Sequence, residues 1–192
     1  MGRLAQTLGV MNPTVSLLRS KFPEPEFTRL QCKVFASVQA ESHLLANVMA
    51  AEQDAGATLS AEQPEHSPMV RFGAYVGKNL IGWSCGWFER GNTYYMAHSG
   101  VLAEHRRQGV YSALLDNSIE YAKSRGAIVV RSQHSVLNNA VIICKLKRNF
   151  HITGLSVSAQ MGNLVELSLH MSSARDELFS SRVIPFVAPH DA

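Results

Sequence analysis

Hydrophobic positions recur at helical spacing early in the chain and alternate further on, so the pattern predicts different elements in different stretches. Val15, Leu17 and Leu18 in Thr14–Arg19 predict a short first strand, ended by Pro23 and Pro25. From Glu26, Leu30, Val34 and Val38 fall at four-residue spacing with Phe35 beside them, and Leu44, Leu45, Val48 and Met49 extend the helical pattern over Ala40–Gln53. Thr58–Pro68 is polar and reads as an exposed loop. The period then changes. Met69–Val76, Asn79–Phe88 and Asn92–Val101 are strand-like runs joined through Gly77-Lys78 and Glu89-Arg90-Gly91, which predicts an antiparallel meander. Gly109–Arg125 returns to helical spacing, with Val110, Ala113, Leu114 and Tyr121 on one stripe and Gly126 as its C-terminal cap. A short buried strand at Ile128–Ser132, a helix over Asn139–Arg148 and strands at Phe150–Ala159 and Leu164–Met171 follow. The expected fold is one α/β (α+β) domain with a mixed sheet.

Composition narrows the classes. The 192 residues are 46% hydrophobic and 17% charged, as in a soluble globular chain. The formal net charge of +3, without a block of like charges, predicts no nucleic-acid partner, and no apolar run reaches the length of a membrane span. Cys32, Cys85 and Cys144 are widely spaced, which fits reduced thiols and a cytoplasmic setting. Arg3, Arg19 and Lys21 precede the first acid at Glu24, a pattern that fits a targeting peptide or, as expected here, an ordinary first strand. His43, His66, His98, His105, His134, His151, His170 and His190 show no metal-ligand spacing, so no metal is expected.

The chemistry concentrates in Val101–Leu115, where a strand ends, a basic loop follows and a helix opens at Gly109. The first N–H groups of a helix lack an intrahelical acceptor, and the helix dipole makes that end partly positive. Such an end binds phosphate, and a glycine lets the backbone come close. Arg106 and Arg107 add two cations and Ser112 a hydroxyl. The dinucleotide fingerprint and the P-loop pattern are both absent, so the physics asks for a phosphate or pyrophosphate of another ligand.

The stretch resembles the acetyl-CoA motif of the GNAT family of N-acetyltransferases, [RQ]-x-x-G-x-[GA], with Arg106 at its first position and Gly109 at its fourth. Tyr111 stands where the family has a small residue. A second motif agrees: Asn138 opens a helical run that closes on Asn149-Phe150, where the family has Gly-Phe. The resemblance covers roughly residues 69–171. It implies a mostly antiparallel sheet of about six to seven strands with a central splay that holds acetyl-CoA. It makes 1–171 a single acetyltransferase domain, with residues 14–68 shaping the acceptor pocket and 172–192 a tail or docking segment. The implied cofactor contacts are Val101, Ala103, Arg106, Arg107, Gln108, Gly109, Val110, Tyr111, Ser112 and Asn138.

The implied reaction is direct attack by an amine, on a small molecule or a protein, with no covalent enzyme intermediate. It needs a base and an acid. His98 and Glu166 are the candidate bases. Lys145 occupies the place of the family's acidic Tyr; it reads as a surface lysine near the CoA phosphates, or as a proton donor if burial depresses its pKa. Tyr94 and Tyr95 are candidate substitutes. The other reading of the missing Tyr is a CoA-binding sensor or partner module without catalysis. Leu164–Met171, taken as an edge strand, offers pairing across a homodimer.

Overall fold

The computed structural model describes residues 17–19, 24–40 and 69–183. The expected helix beyond Ala40, the loop Thr58–Pro68 and the segment 184–192 lie outside them. The elements are β1 (Leu17–Arg19), α1 (Glu24–Ala40), β2 (Val70–Val76), β3 (Asn79–Glu89), β4 (Thr93–Val101), a 3-10 turn (Ala103–His105), α2 (Val110–Ser124), β5 (Val129–Ser135), α3 (Asn139–Leu146), β6 (His151–Ser158), β7 (Gly162–His170) and α4 (Ser173–Val183). The strands are ordered β1-β2-β3-β4-β5-β7-β6. Parallel neighbours need a long crossover, and α2 supplies it between β4 and β5. β1 with β2, β5 with β7 and β6 with β7 are antiparallel.

The described residues form two compact units: residues 17–19, 24–40, 69–85 and 98–118, and residues 86–97 and 119–183. The first is centred on the fully buried Trp83, which meets Phe27 and Phe35 edge-on with ring centroids 5.7 and 5.9 Å away. Gly100 makes that packing feasible, because a Cβ there would stand 2.3 Å from the indole. Ser118 is polar yet fully buried, and donates its hydroxyl hydrogen to the Leu114 carbonyl or to Ser84 Oγ, so its burial is compensated.

The second unit packs Phe88, Tyr94 and Tyr121 in one aromatic cluster and buries Val130, Phe150, Leu164, Val165 and Leu167. Three expectations change here. The strand expected at Ile128–Ser132 runs from Val129 to Ser135 and is half-buried, because alternate residues face a polar side of the sheet. Leu164–Met171 is no edge: β7 lies between β5 and β6, and both of its backbone edges pair with a neighbouring strand. The edge is β6, whose Leu155 and Val157 are exposed. The pairing surface for a homodimer therefore does not exist on β7. The first half of the expected tail is a helix, α4, started by Ser172, which accepts the Arg175 and Asp176 N–H groups through its hydroxyl and carbonyl.

Two helix ends confirm the capping chemistry. Gly126 (φ 79°) follows α2, and Asn149 (φ 60°) follows α3 in the left-handed region that glycine and then asparagine tolerate best.

Candidate functional site

Beyond β4 the chain turns tightly. The Arg106 side chain is drawn back, its Nε donating to the Val101 carbonyl at 3.0 Å, and Gln108 Nε2 donates to the Glu104 carbonyl at 2.8 Å. These bonds hold the loop closed on itself. Arg107 (φ 60°) and Gly109 (φ 79°) both take left-handed backbone, and at Gly109 this conformation is free of the Cβ penalty. The α2 ladder begins with the Ala113 N–H on the Gly109 carbonyl. Val101 and Val110 are buried and anchor the two ends of the turn, while Ala103, Arg106, Arg107, Gln108 and Gly109 are exposed. Tyr111 and Ser112 are half-buried on the first turn of α2. A strand end, a left-handed glycine and a helix start with arginines beside it form the geometry of an anion cradle.

In the second unit, Asn138 holds the N-cap position of α3 but makes no capping hydrogen bond with its side chain, which is exposed. Seven residues on, Lys145 is no surface residue: it is fully buried. On the short α3, the inward face turns it toward the sheet. Its Nζ donates to Ser132 Oγ at 2.6 Å and lies 3.8 Å from Met96 Sδ and 5.0 Å from the Phe150 ring centre. Burial brings its pKa down to about 7. Burial, with the Lys145 charge nearby, pushes the His134 imidazole down to about 3, so that ring stays neutral. Met96 and Ser132 are also the last register pair between β4 and β5. The lysine thus stands at the rung where that ladder ends.

Side chains alternate along a strand, so Tyr95 and Gln133 point to the other face of the sheet from Met96 and Ser132. There Gln133 Nε2 donates to Glu166 Oε1 at 2.6 Å, and Tyr95 Oη donates to Gln133 Oε1 at 3.4 Å. Gly154 leaves room for the carboxylate; a Cβ would stand 3.1 Å from Glu166 Oε2. Arg131 crosses the Tyr95 ring at 5.2 Å and pairs with Glu89 at 3.1 Å. Burial raises the Tyr95 phenol.

His98 belongs to the first unit, and Lys145 and Glu166 belong to the second. Its Nδ1 accepts the Trp83 indole N–H at 3.2 Å, its ring stacks on Phe27 at 5.8 Å, and Cys85 Sγ lies 3.3 Å from Nε2. Burial lowers the imidazole pKa and raises the Cys85 thiol to about 11, so the two form a neutral pair. Tyr94 is buried in the aromatic cluster. Sequence reasoning weighed Met96 only as core packing or acceptor-pocket lining and did not single out Ser132 or Gln133; the available signal was the polar run Arg131-Ser132-Gln133 on a strand otherwise expected to be apolar.

The Acetyltransferase (GNAT) family model matches residues 30–143, more than half of the chain, and the chain belongs to this family. A comparison with curated proteins finds no match. Among solved structures, the ribosomal-protein-S18-alanine N-acetyltransferase from Escherichia coli superposes with a TM-score of 0.58 at 14% identity, over 81% of this chain and 94% of that one. The NatC complex bound to Gag peptide and CoA gives 0.58 at 13% identity, over 81% and 98%. Nourseothricin acetyltransferase gives 0.50 at 21% identity, over 54% of this chain and 66% of that one. At these identities the likeness is one of fold.

Proposed function

We propose that this protein is an acetyl-CoA-dependent N-acetyltransferase that acts by direct attack of an amine, with Lys145 as the acid and the Gln133–Glu166 pair on the amine's side. The observation that carries the reading is the rung Met96–Ser132, where the β4–β5 ladder ends with a buried lysine on one face and a hydrogen-bonded carboxylate on the other. Acetyl-CoA supplies an activated acetyl thioester. Gly109–Ser112 and the arginines beside them hold its pyrophosphate, and the β4 backbone near Gly100–Ala103 pairs with its amides.

Lys145 then gives a proton to the departing sulfur as the C–S bond breaks. A donor with a pKa of about 7 matches a thiol, whose ordinary value is about 8.5. Glu166 takes the proton released when the amine nitrogen bonds to the acetyl carbon, and Gln133 orients that carboxylate. His98 serves packing, since its ring nitrogens already face Trp83 and Cys85. The family tyrosine is missing, but its place holds a buried acid of suitable strength, which favours an enzyme over a sensor module that only binds CoA. The acceptor is an amine of a small molecule or a protein; known structures of this fold include an S18-alanine N-acetyltransferase and a nourseothricin acetyltransferase.

Calorimetry with acetyl-CoA tests the reading, on the wild type and on Gly109→Glu, which places a carboxylate and a strained Cβ in the cradle. Binding by the wild type that the substitution abolishes is the expected result. A wild type that does not bind acetyl-CoA would overturn the assignment.

A further inference from the structure

Among the described residues, one group outside the proposed acetyl-transfer site brings together three side chains that bind metals. His151 opens β6, His170 closes β7 and Asp176 lies in the first turn of α4. Asp176 Oδ1 is 2.7 Å from His151 Nε2 and 3.2 Å from His170 Nδ1, and all three donor atoms lie within 4.8 Å of one another. Phe179, a turn beyond Asp176 on the same helix, packs on both imidazoles with centroids 5.1 and 4.9 Å away. It holds the two rings with their nitrogen edges toward the same carboxylate.

We propose that His151, His170 and Asp176 bind a divalent transition metal of the Zn2+ type, which clamps α4 to the β6–β7 hairpin. In a tetrahedral site with bonds of about 2.0–2.2 Å, donor atoms stand roughly 3.3–3.6 Å apart. Small rotations of the imidazoles bring the three donors to that spacing. Two neutral imidazoles and one carboxylate suit Zn2+ or Co2+, whereas Mg2+ and Ca2+ take oxygen ligands. The His151 and Asp176 side chains keep 31% and 37% of their exposure, which leaves water access for a fourth ligand. Arg175 and Arg182 line the recess beside His170 and oppose a cation. With only one carboxylate to offset them, the imidazoles carry most of the affinity.

The probe is Co2+ added to the metal-free full-length protein, in the absence of acetyl-CoA, so the outcome is independent of the transferase reading. A visible tetrahedral Co2+ spectrum that saturates near one equivalent and is displaced by Zn2+ is expected. Asp176→Asn and His151→Ala should each weaken binding by at least about 10-fold. Cys32→Ser removes an exposed thiol and should leave binding unchanged. Absence of the spectrum in the wild type, or binding indifferent to both substitutions, overturns the proposal. Should a variant fail to fold, the wild type still decides. Paramagnetic Co2+ must broaden the ring signals of His151 and His170 before those of other histidines, and the reverse order overturns the site.

Discussion

Lys145 is the residue at which stability and chemistry pull apart. A buried ammonium with one hydroxyl partner is costly, and the drop from 10.5 to about 7 is the measure of that cost. Because the folded value lies below the unfolded one, the unfolded chain binds more protons between those limits, and stability rises with pH from about 7 to 10.5. The size of this rise is on the order of a few kcal/mol. Urea titrations across that window should show the rise in the wild type and lose it in Lys145→Met. The same substitution should raise stability at pH 7 by about 1 kcal/mol or more, since an apolar chain of similar length replaces a buried charge. It should lower kcat by about 100-fold. As the acid acts in its protonated form, the wild-type rate should fall as pH rises through about 7. Lys145→Tyr should move that limb toward the ordinary phenol value of about 10. A Lys145→Met enzyme with unchanged kcat and pH profile removes the lysine from the reaction. The sequence marked Lys145 as the departure from the family pattern but read it as exposed. A lysine on a short helix has that prior, and only the packing of α3 on β5 shows the burial.

At the scale of elements, the caps were legible because they depend on local backbone alone. Asn149 and Gly126 stand where their residue types predicted, both with positive φ. Asn149→Ala should destabilise by about 1 kcal/mol and Asn149→Gly by no more than a few tenths, read from denaturant midpoints at constant m-value. Equal effects of the two substitutions would mean that the asparagine side chain, and not its backbone conformation, closes α3. The meander, α2 and the loop that opens it were legible for the same reason: their patterns are periodic or sit at consecutive positions. Strand order was not. Nothing local states that β7 inserts between β5 and β6, so an internal strand read as an edge. The polar partners of β5 were hidden for a related reason. Gln133 meets Glu166, and Ser132 meets Lys145, through contacts 33 and 13 residues apart in sequence. His151, His170 and Asp176 likewise show no ligand spacing, because a hairpin and a helix bring them together.

For the whole molecule, a ligand that binds only the folded chain stabilises it by mass action, whatever the acceptor turns out to be. At about 100 times its dissociation constant, acetyl-CoA should add about 2.7 kcal/mol. In a chain of this size that is a rise in melting temperature of roughly 5–10 °C. The proposed contacts lie on the loop before α2, a part of the fold anchored by the buried Val101 and Val110, so binding there should stabilise the folded chain against global unfolding. Gly109→Glu should lose the rise, whereas Lys145→Met should keep it, since the lysine is assigned to proton transfer and not to holding the pyrophosphate. Thermal melts of the three proteins with and without acetyl-CoA therefore separate cofactor binding from proton transfer. Loss of the rise in Lys145→Met would make the lysine a binding residue, and its persistence in Gly109→Glu would move the cofactor away from α2.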